Sequence, residues 1–170
     1  MKAAVLTHLN NDLKIMELEI PKLTKGQILV KIKAAGICGA QINQKKGVKI
    51  NPKFLPCLMG HEGSGIVEKI GEGVTKVKEG DKVVLHWRPS KGLEGDFPSY
   101  KSKEGIIGSG LVTTFSEYSV VSENRLTKVT SELNFPQLSL FGCAITTGMG
   151  IVDNEIDLIK NESIAVFGVG

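Results

Sequence analysis

From Met1 to Val129 the apolar residues fall mainly at strand spacing, in short runs separated by glycine and proline. Met1 to Leu6 is a short β-prone start. Leu13 to Ile20 alternates apolar and polar residues up to Pro21, which makes Leu13, Ile15, Met16, Leu18 and Ile20 core candidates. Ile28 to Ala34 is the clearest half-buried strand, ended by Gly36. Ser64 to Ile70 predicts another, closed by Gly71-Glu72-Gly73, and Val77 to Val83 is a tight turn feeding a strand that ends near Leu85. Phe115 to Val121 and Arg125 to Val129 resume the alternation. Asn51 to Pro56 reads as loop, with Phe54 and Leu55 tucked against the core. From His86 to Gly110 the periodicity is lost, because Trp87, Pro89, Gly92, Gly95, Pro98, Tyr100 and Gly105 interrupt any regular element. A loop of that length in a compact domain is either functional or disordered.

Beyond Pro136 the spacing turns helical, through Leu138, Leu140, Phe141, Ala144 and Ile145. A helix there carries Cys143 inward, and Ile151 to Ile159 is amphipathic enough for a connecting helix. Ser163 to Phe167 is a continuous apolar strand running into Gly168-Val169-Gly170. A strand followed by Gly-x-Gly opens a dinucleotide-binding turn, whose third glycine falls past Gly170. The pattern predicts a mainly β fold with short helices, followed by the first strand of a second unit.

Composition narrows this picture. A chain of 170 residues with 41% hydrophobic content buries one core, or one core and the start of another. Its net charge is +3 and its lysines are scattered, so no basic face marks a nucleic-acid partner. No apolar run reaches membrane-span length and the N-terminus lacks a signal-peptide core, so the reading is a cytoplasmic protein without membrane attachment. Three cysteines without close pairing argue against a disulfide framework.

The chemistry gathers around His61, which sits beside Glu62 in a run of glycines. A lone histidine is more often a hydrogen-bonded structural residue than a ligand, and that is how His86, beside Trp87, reads. Cys57 reads as a buried structural thiol. Cys38 lies in the turn after a strand, where loops expose side chains on a rigid frame. Cys38, His61 and Cys143 are of types that suit zinc, and three protein ligands leave a fourth position open.

Gly60-His61-Glu62, then Gly65, Gly71 and Val74, fit the zinc signature of the medium-chain alcohol dehydrogenase family. Gly36-Ile37-Cys38-Gly39 resembles that family's first-ligand turn, and Gly142-Cys143 with Thr147-Gly148 resembles its third-ligand segment. The resemblance spans nearly the whole chain in the family's order. It implies a GroES-like barrel catalytic domain over residues 1–150. Residues 151–170 are then the connecting helix and first strand of a truncated Rossmann dinucleotide-binding domain. The implied ligands of one catalytic zinc are Cys38, His61 and Cys143, with Glu62 acting at the same centre. Thr147, Gly168 and Gly170 fall at positions that meet the cofactor, NAD or NADP. The implied reaction transfers hydride between an alcohol or aldehyde and the nicotinamide, in a homo-oligomeric full-length enzyme. The chain as given is then expected to bind metal without turning over alcohol.

Three departures from the family pattern matter. Ala40 stands where the family usually has a proton-relaying Ser or Thr, and Gln41 where it usually has an Asp that hydrogen-bonds the ligand histidine. No cysteine lies between Cys57 and Cys143, so the second, structural zinc of many relatives has no ligands and the loop after His86 must be ordered by other means. Two other readings compete. A zinc-free quinone-reductase-like member of the same fold typically lacks this ligand set. A non-enzymatic GroES-like binding module has no reason to keep three zinc ligands.

Overall fold

The strand expected over residues 28–34 forms as β3 (Gln27–Ala35) and is the middle of the larger sheet. The structure, a computed structural model, describes residues 1–48, 50–156, 159 and 161–168. β3 pairs on one side with β5 (Glu62–Ile70) and on the other with β9 (Tyr118–Ser122). β5 continues to β6 (Lys82–His86), and β6 to β10 (Leu126–Lys128), every pairing antiparallel. In a second sheet β1 (Lys2–Leu6) lies between β2 (Lys14–Glu17) and β4 (Cys57–Leu58). A hairpin of β7 (Tyr100–Ser102) and β8 (Gly105–Ile107) completes a mainly β fold, with three short α-helices among the described residues.

Side chains of a strand alternate between its two faces, so β3 sends Ile28 and Val30 into one core with Val67, Val83, Leu85, Val121 and Leu126. A second cluster joins the small sheet, the hairpin and β9 through Val5, Met16, Leu18, Leu58, Tyr100, Ile107 and Val120. Each fully buried aliphatic side chain there contributes about 1.5–3 kcal/mol. The β3–β5 register slips between Ile32 and Ala34, which bends the strands beside the end that carries Gly36 and His61.

The same alternation corrects the reading of Leu13 to Ile20. Met16 and Leu18 are buried, whereas Ile15 is 66% exposed because neighbouring residues of a strand cannot both face the core, and Ile20, beyond the end of β2, lies at the surface. Phe54, expected in the core, ends a 3-10 turn (Pro52–Phe54) and is exposed.

The segment after His86 is not featureless. Its β7–β8 strands are three residues each, too short for a period to show in sequence. Tyr100, read as a breaker, is fully buried; its hydroxyl accepts the Val120 N–H at 3.0 Å and burial pushes its pKa up to about 12. The stretch before the hairpin is fastened by the buried run Glu123-Asn124-Arg125. The Glu123 carboxylate accepts backbone N–H groups from Thr75 (2.6 Å), Lys76 (2.7 Å) and Leu93 (2.8 Å). Arg125 pairs with Glu94 at 2.8 Å and donates to the Trp87 carbonyl, and Asn124 also donates to Glu94. Burial works to raise the Glu123 pKa, but its backbone donors outweigh burial and hold it below the ordinary glutamate value.

The helices differ from expectation at their ends. α1 (Gly39–Lys45) was not expected. α2 (Phe135–Ser139) starts at a capping box in which Asn134 accepts the Gln137 N–H at 2.9 Å and Gln137 returns the bond. A 3-10 turn (Leu140–Gly142) follows, and Cys143 breaks the helical path at φ −150° and ψ −63°. α3 (Ala144–Asn154) then begins well before the helix expected from Ile151. Ser163 to Phe167 forms no strand pairing, and Phe167 is 98% exposed. An apolar strand of this kind needs neighbours along both edges and over both faces, and the described residues supply none. No single helix among the described residues is long and apolar enough to cross a membrane.

Candidate metal centre

His61 is held at the entrance to β5 by a turn through Gly60, whose φ is +93°. A Cβ at that position would collide with the hydroxyl and backbone of Thr114, so glycine is needed there for conformation and for space. Thr114 and Phe115 both donate N–H groups to the Met59 carbonyl, and the Thr114 hydroxyl donates to the Glu62 carbonyl at 2.9 Å. Cys38 is the N-cap residue of α1, in an extended conformation at φ −101° and ψ 150°. Cys143 occupies the break ahead of α3.

The structure brings these three residues together: one donor atom from each lies within 4.8 Å of the others. The contributing His61 atom is identified by its hydrogen bonds. Nδ1 is engaged by Gln41 at 2.5 Å, while Nε2 is buried without a partner. An orphaned imidazole nitrogen facing two thiol sulfurs is the donor set zinc takes, and the residues fit that ion. Burial pushes the His61 pKa down, against the raising effect of the Glu62 charge, which favours the neutral ring a metal needs. Burial pushes the Cys143 thiol up; the Thr147 hydroxyl, 3.8 Å from its sulfur, works in the opposite direction, and the charges of Cys38 and Glu62 add to the rise.

Glu62 stands outside this group. Its buried carboxylate accepts the Ala144 N–H at 3.1 Å, and it is packed between Gly36 and Gly142, neither of which has room for a Cβ. Cys57 is also apart, buried with Leu6 and Met59, and burial raises its pKa. His86 is satisfied at both nitrogens, by the Arg88 carbonyl (2.7 Å) and the Thr127 hydroxyl (3.0 Å). Thr147 is exposed in the first turns of α3, and Gly168 has a φ of +90°. Gly170, expected at the cofactor, lies outside the described residues.

A cavity of about 580 Å³ opens beside His61. Its apolar wall includes Ile50, Phe54, Leu58, Met59, Phe97 and Val112, and no described lining residue is an acid, a lysine or an arginine. The buried hydroxyl of Thr113, another lining residue, has no hydrogen-bond partner. Phe97 and Thr113 carry no signal in the sequence, since the chain reaches the cavity through irregular segments.

A mainly β fold with a two-thiol, one-imidazole cluster is the arrangement that the resemblance to the alcohol dehydrogenase GroES-like domain implies, and known proteins similar to this chain agree with it. The family model for the alcohol dehydrogenase GroES-like domain matches residues 24–131, and the chain belongs to that family. It is 34% identical over 195 residues to an S-(hydroxymethyl)glutathione dehydrogenase of Photobacterium damsela subsp. piscicida, covering 99% of this chain and 52% of that protein. The same enzyme from Synechocystis is also 34% identical, again with 99% and 52% coverage. The chain thus spans about half the length of the curated relatives it matches. Benzyl alcohol dehydrogenase from Acinetobacter calcoaceticus superposes with a TM-score of 0.77 at 27% identity, over 92% of this chain and 48% of that one. A quinone oxidoreductase from Pseudomonas syringae pv. Tomato DC3000 shares the fold alone, at 23% identity and a TM-score of 0.72, over 92% and 42% of the two chains.

Proposed function

We propose that this chain is the zinc-holding part of an NAD(P)-dependent alcohol dehydrogenase. Residues 1–150 form the catalytic domain, and residues 151–170 lead into the cofactor domain. The observation that carries this reading is the convergence of Cys38, His61 and Cys143 around an unpartnered Nε2. One zinc would be held by these three. When bound, it supplies a Lewis acid that polarises the substrate oxygen. Glu62 keeps the Cys143 segment seated against β5, and Gln41 orients the His61 ring. Thr147, Gly168 and Gly170 serve the nicotinamide cofactor.

The cavity wall narrows the substrate to an uncharged alcohol or aldehyde with an apolar body. Phe54, Phe97 and Met59 offer it apolar contact, and the Thr113 hydroxyl offers a hydrogen bond. The glutathione adduct named for the curated relatives carries carboxylates, and the described lining offers no cation to meet them. The test is zinc uptake by this chain against a Cys143→Ser variant, with turnover of neutral arylmethanols by the full-length protein. Equal zinc uptake by the two would end the proposal.

A further inference from the structure

Gln41 supports the His61 ring from behind, and its amide lies between two groups that make opposite demands on it. Its Nε2 is 2.5 Å from His61 Nδ1, and its Oε1 accepts the Cys38 backbone N–H at 3.3 Å. The side chain is buried. With the amide placed in this way, both bonds are satisfied together when the neutral ring carries its hydrogen on Nε2, so that the amide N–H donates to a bare Nδ1.

A metal on Nε2 reverses this, because the neutral ring must then carry its hydrogen on Nδ1. Nδ1–H and Cys38 N–H become two donors at opposite ends of a side chain that has one acceptor oxygen. With the oxygen towards Cys38, the amide N–H meets Nδ1–H. With the oxygen towards Nδ1, the amide N–H meets the Cys38 N–H. Neither orientation of the amide avoids a donor facing a donor. A carboxylate at this place would accept from both.

We propose that Gln41 is a positioning residue that sets the metal affinity of this centre below its full strength. It reverses its amide when His61 takes a metal and so releases the Cys38 N–H at the start of α1. The inference rests on the reading of Cys38, His61 and Cys143 as a metal site, and it adds a link between metal occupancy and the backbone of a ligand. Gln41→Glu keeps the shape and supplies two acceptors for two donors.

The experiment is a zinc titration against a competing chelator on the wild-type chain, Gln41→Glu, Gln41→Leu and Cys143→Ser, with urea melts of the metal-free forms to show that each is folded. Groups that orient a ligand histidine change metal affinity by roughly 10–100-fold. Gln41→Glu is expected to bind zinc tighter by about that factor, and Gln41→Leu more weakly than wild type. Nitrogen-15 spectra of the His61 ring supply a readout that a packing role would not move. The ring hydrogen should sit on Nε2 in the metal-free wild type and on Nδ1 once zinc is added. Unchanged or weaker binding by Gln41→Glu, or a metal-free wild type with its hydrogen on Nδ1, would overturn the inference while leaving the site intact. If wild type and Gln41→Glu took up no more zinc than Cys143→Ser, the site reading itself would fall and this inference with it.

Discussion

The Glu62 carboxylate accepts the backbone N–H of Ala144 at 3.1 Å, so the strand that follows His61 is tied to the residue that follows Cys143. Gly36, two positions before Cys38, and Gly142, next to Cys143, press on the same side chain. All three cluster residues are thus anchored around one buried acid.

That packing makes two alanine substitutions differ in sign. At Gly142 a Cβ would run into the Leu85 carbonyl and Glu62, whereas at Gly148 in α3 it meets nothing within 4 Å. Gly142→Ala should destabilise by about 1–3 kcal/mol. Gly148→Ala should be neutral or stabilising by about 0.5–1 kcal/mol, since alanine favours a helix interior. Urea denaturation of the two variants checks both values.

Zinc stoichiometry separates the three cysteines. One equivalent is expected in the wild type and in Cys57→Ser, whose thiol lies outside the cluster, and a sharp loss of affinity in Cys38→Ser and Cys143→Ser. Free zinc at a hundred times its dissociation constant should raise wild-type stability by about 2.7 kcal/mol, with no gain in Cys143→Ser. Elemental analysis and thermal melts measure the two effects.

Glu123 gives an acid dependence with a definite sign. Its folded-state pKa lies below the ordinary glutamate value, so its stabilisation is whole above the unfolded-state pKa and drains away as pH falls through the folded value. Glu123→Gln should flatten that part of the stability-against-pH curve. Glu123→Ala should cost about 1–3 kcal/mol at neutral pH by leaving buried N–H donors without an acceptor. Urea melts at stepped pH values test each variant.

The cavity wall predicts a selectivity change. Phe97 is exposed at the cavity, so Phe97→Arg should leave the fold intact. In the full-length protein it should lower kcat/KM for a neutral arylmethanol about tenfold and raise it for a carboxylated analogue. A steady-state comparison of the two substrates decides it.

Most of the sheet was legible in the sequence because β3, β5, β6 and β9 each carry apolar residues at core positions. Residues 28, 30, 67, 83, 85 and 121 are apolar, and all of them are buried. What was missed is held by long-range contacts with no local period. The three-residue strands of the hairpin take their stability from Tyr100, whose hydroxyl finds Val120 across the fold. Phe54 looked like core but sits on a turn that the cavity leaves open. Helix α1 did leave a trace, a glutamine three places after Cys38, but cysteine is a poor signal for a helix start. The meeting of Cys38, His61 and Cys143 could be expected only through the resemblance, since no spacing rule joins residues so distant in sequence.

The run Glu123-Asn124-Arg125 also bears on how the protein can be handled. The loop it fastens is secured by charge and backbone hydrogen bonds, so a chelator has nothing there to extract. Washing the protein free of zinc should leave a folded shell, with loss confined to the Cys38–His61–Cys143 corner. Such a shell can be refilled with cobalt, whose visible absorption would report the geometry of that corner directly.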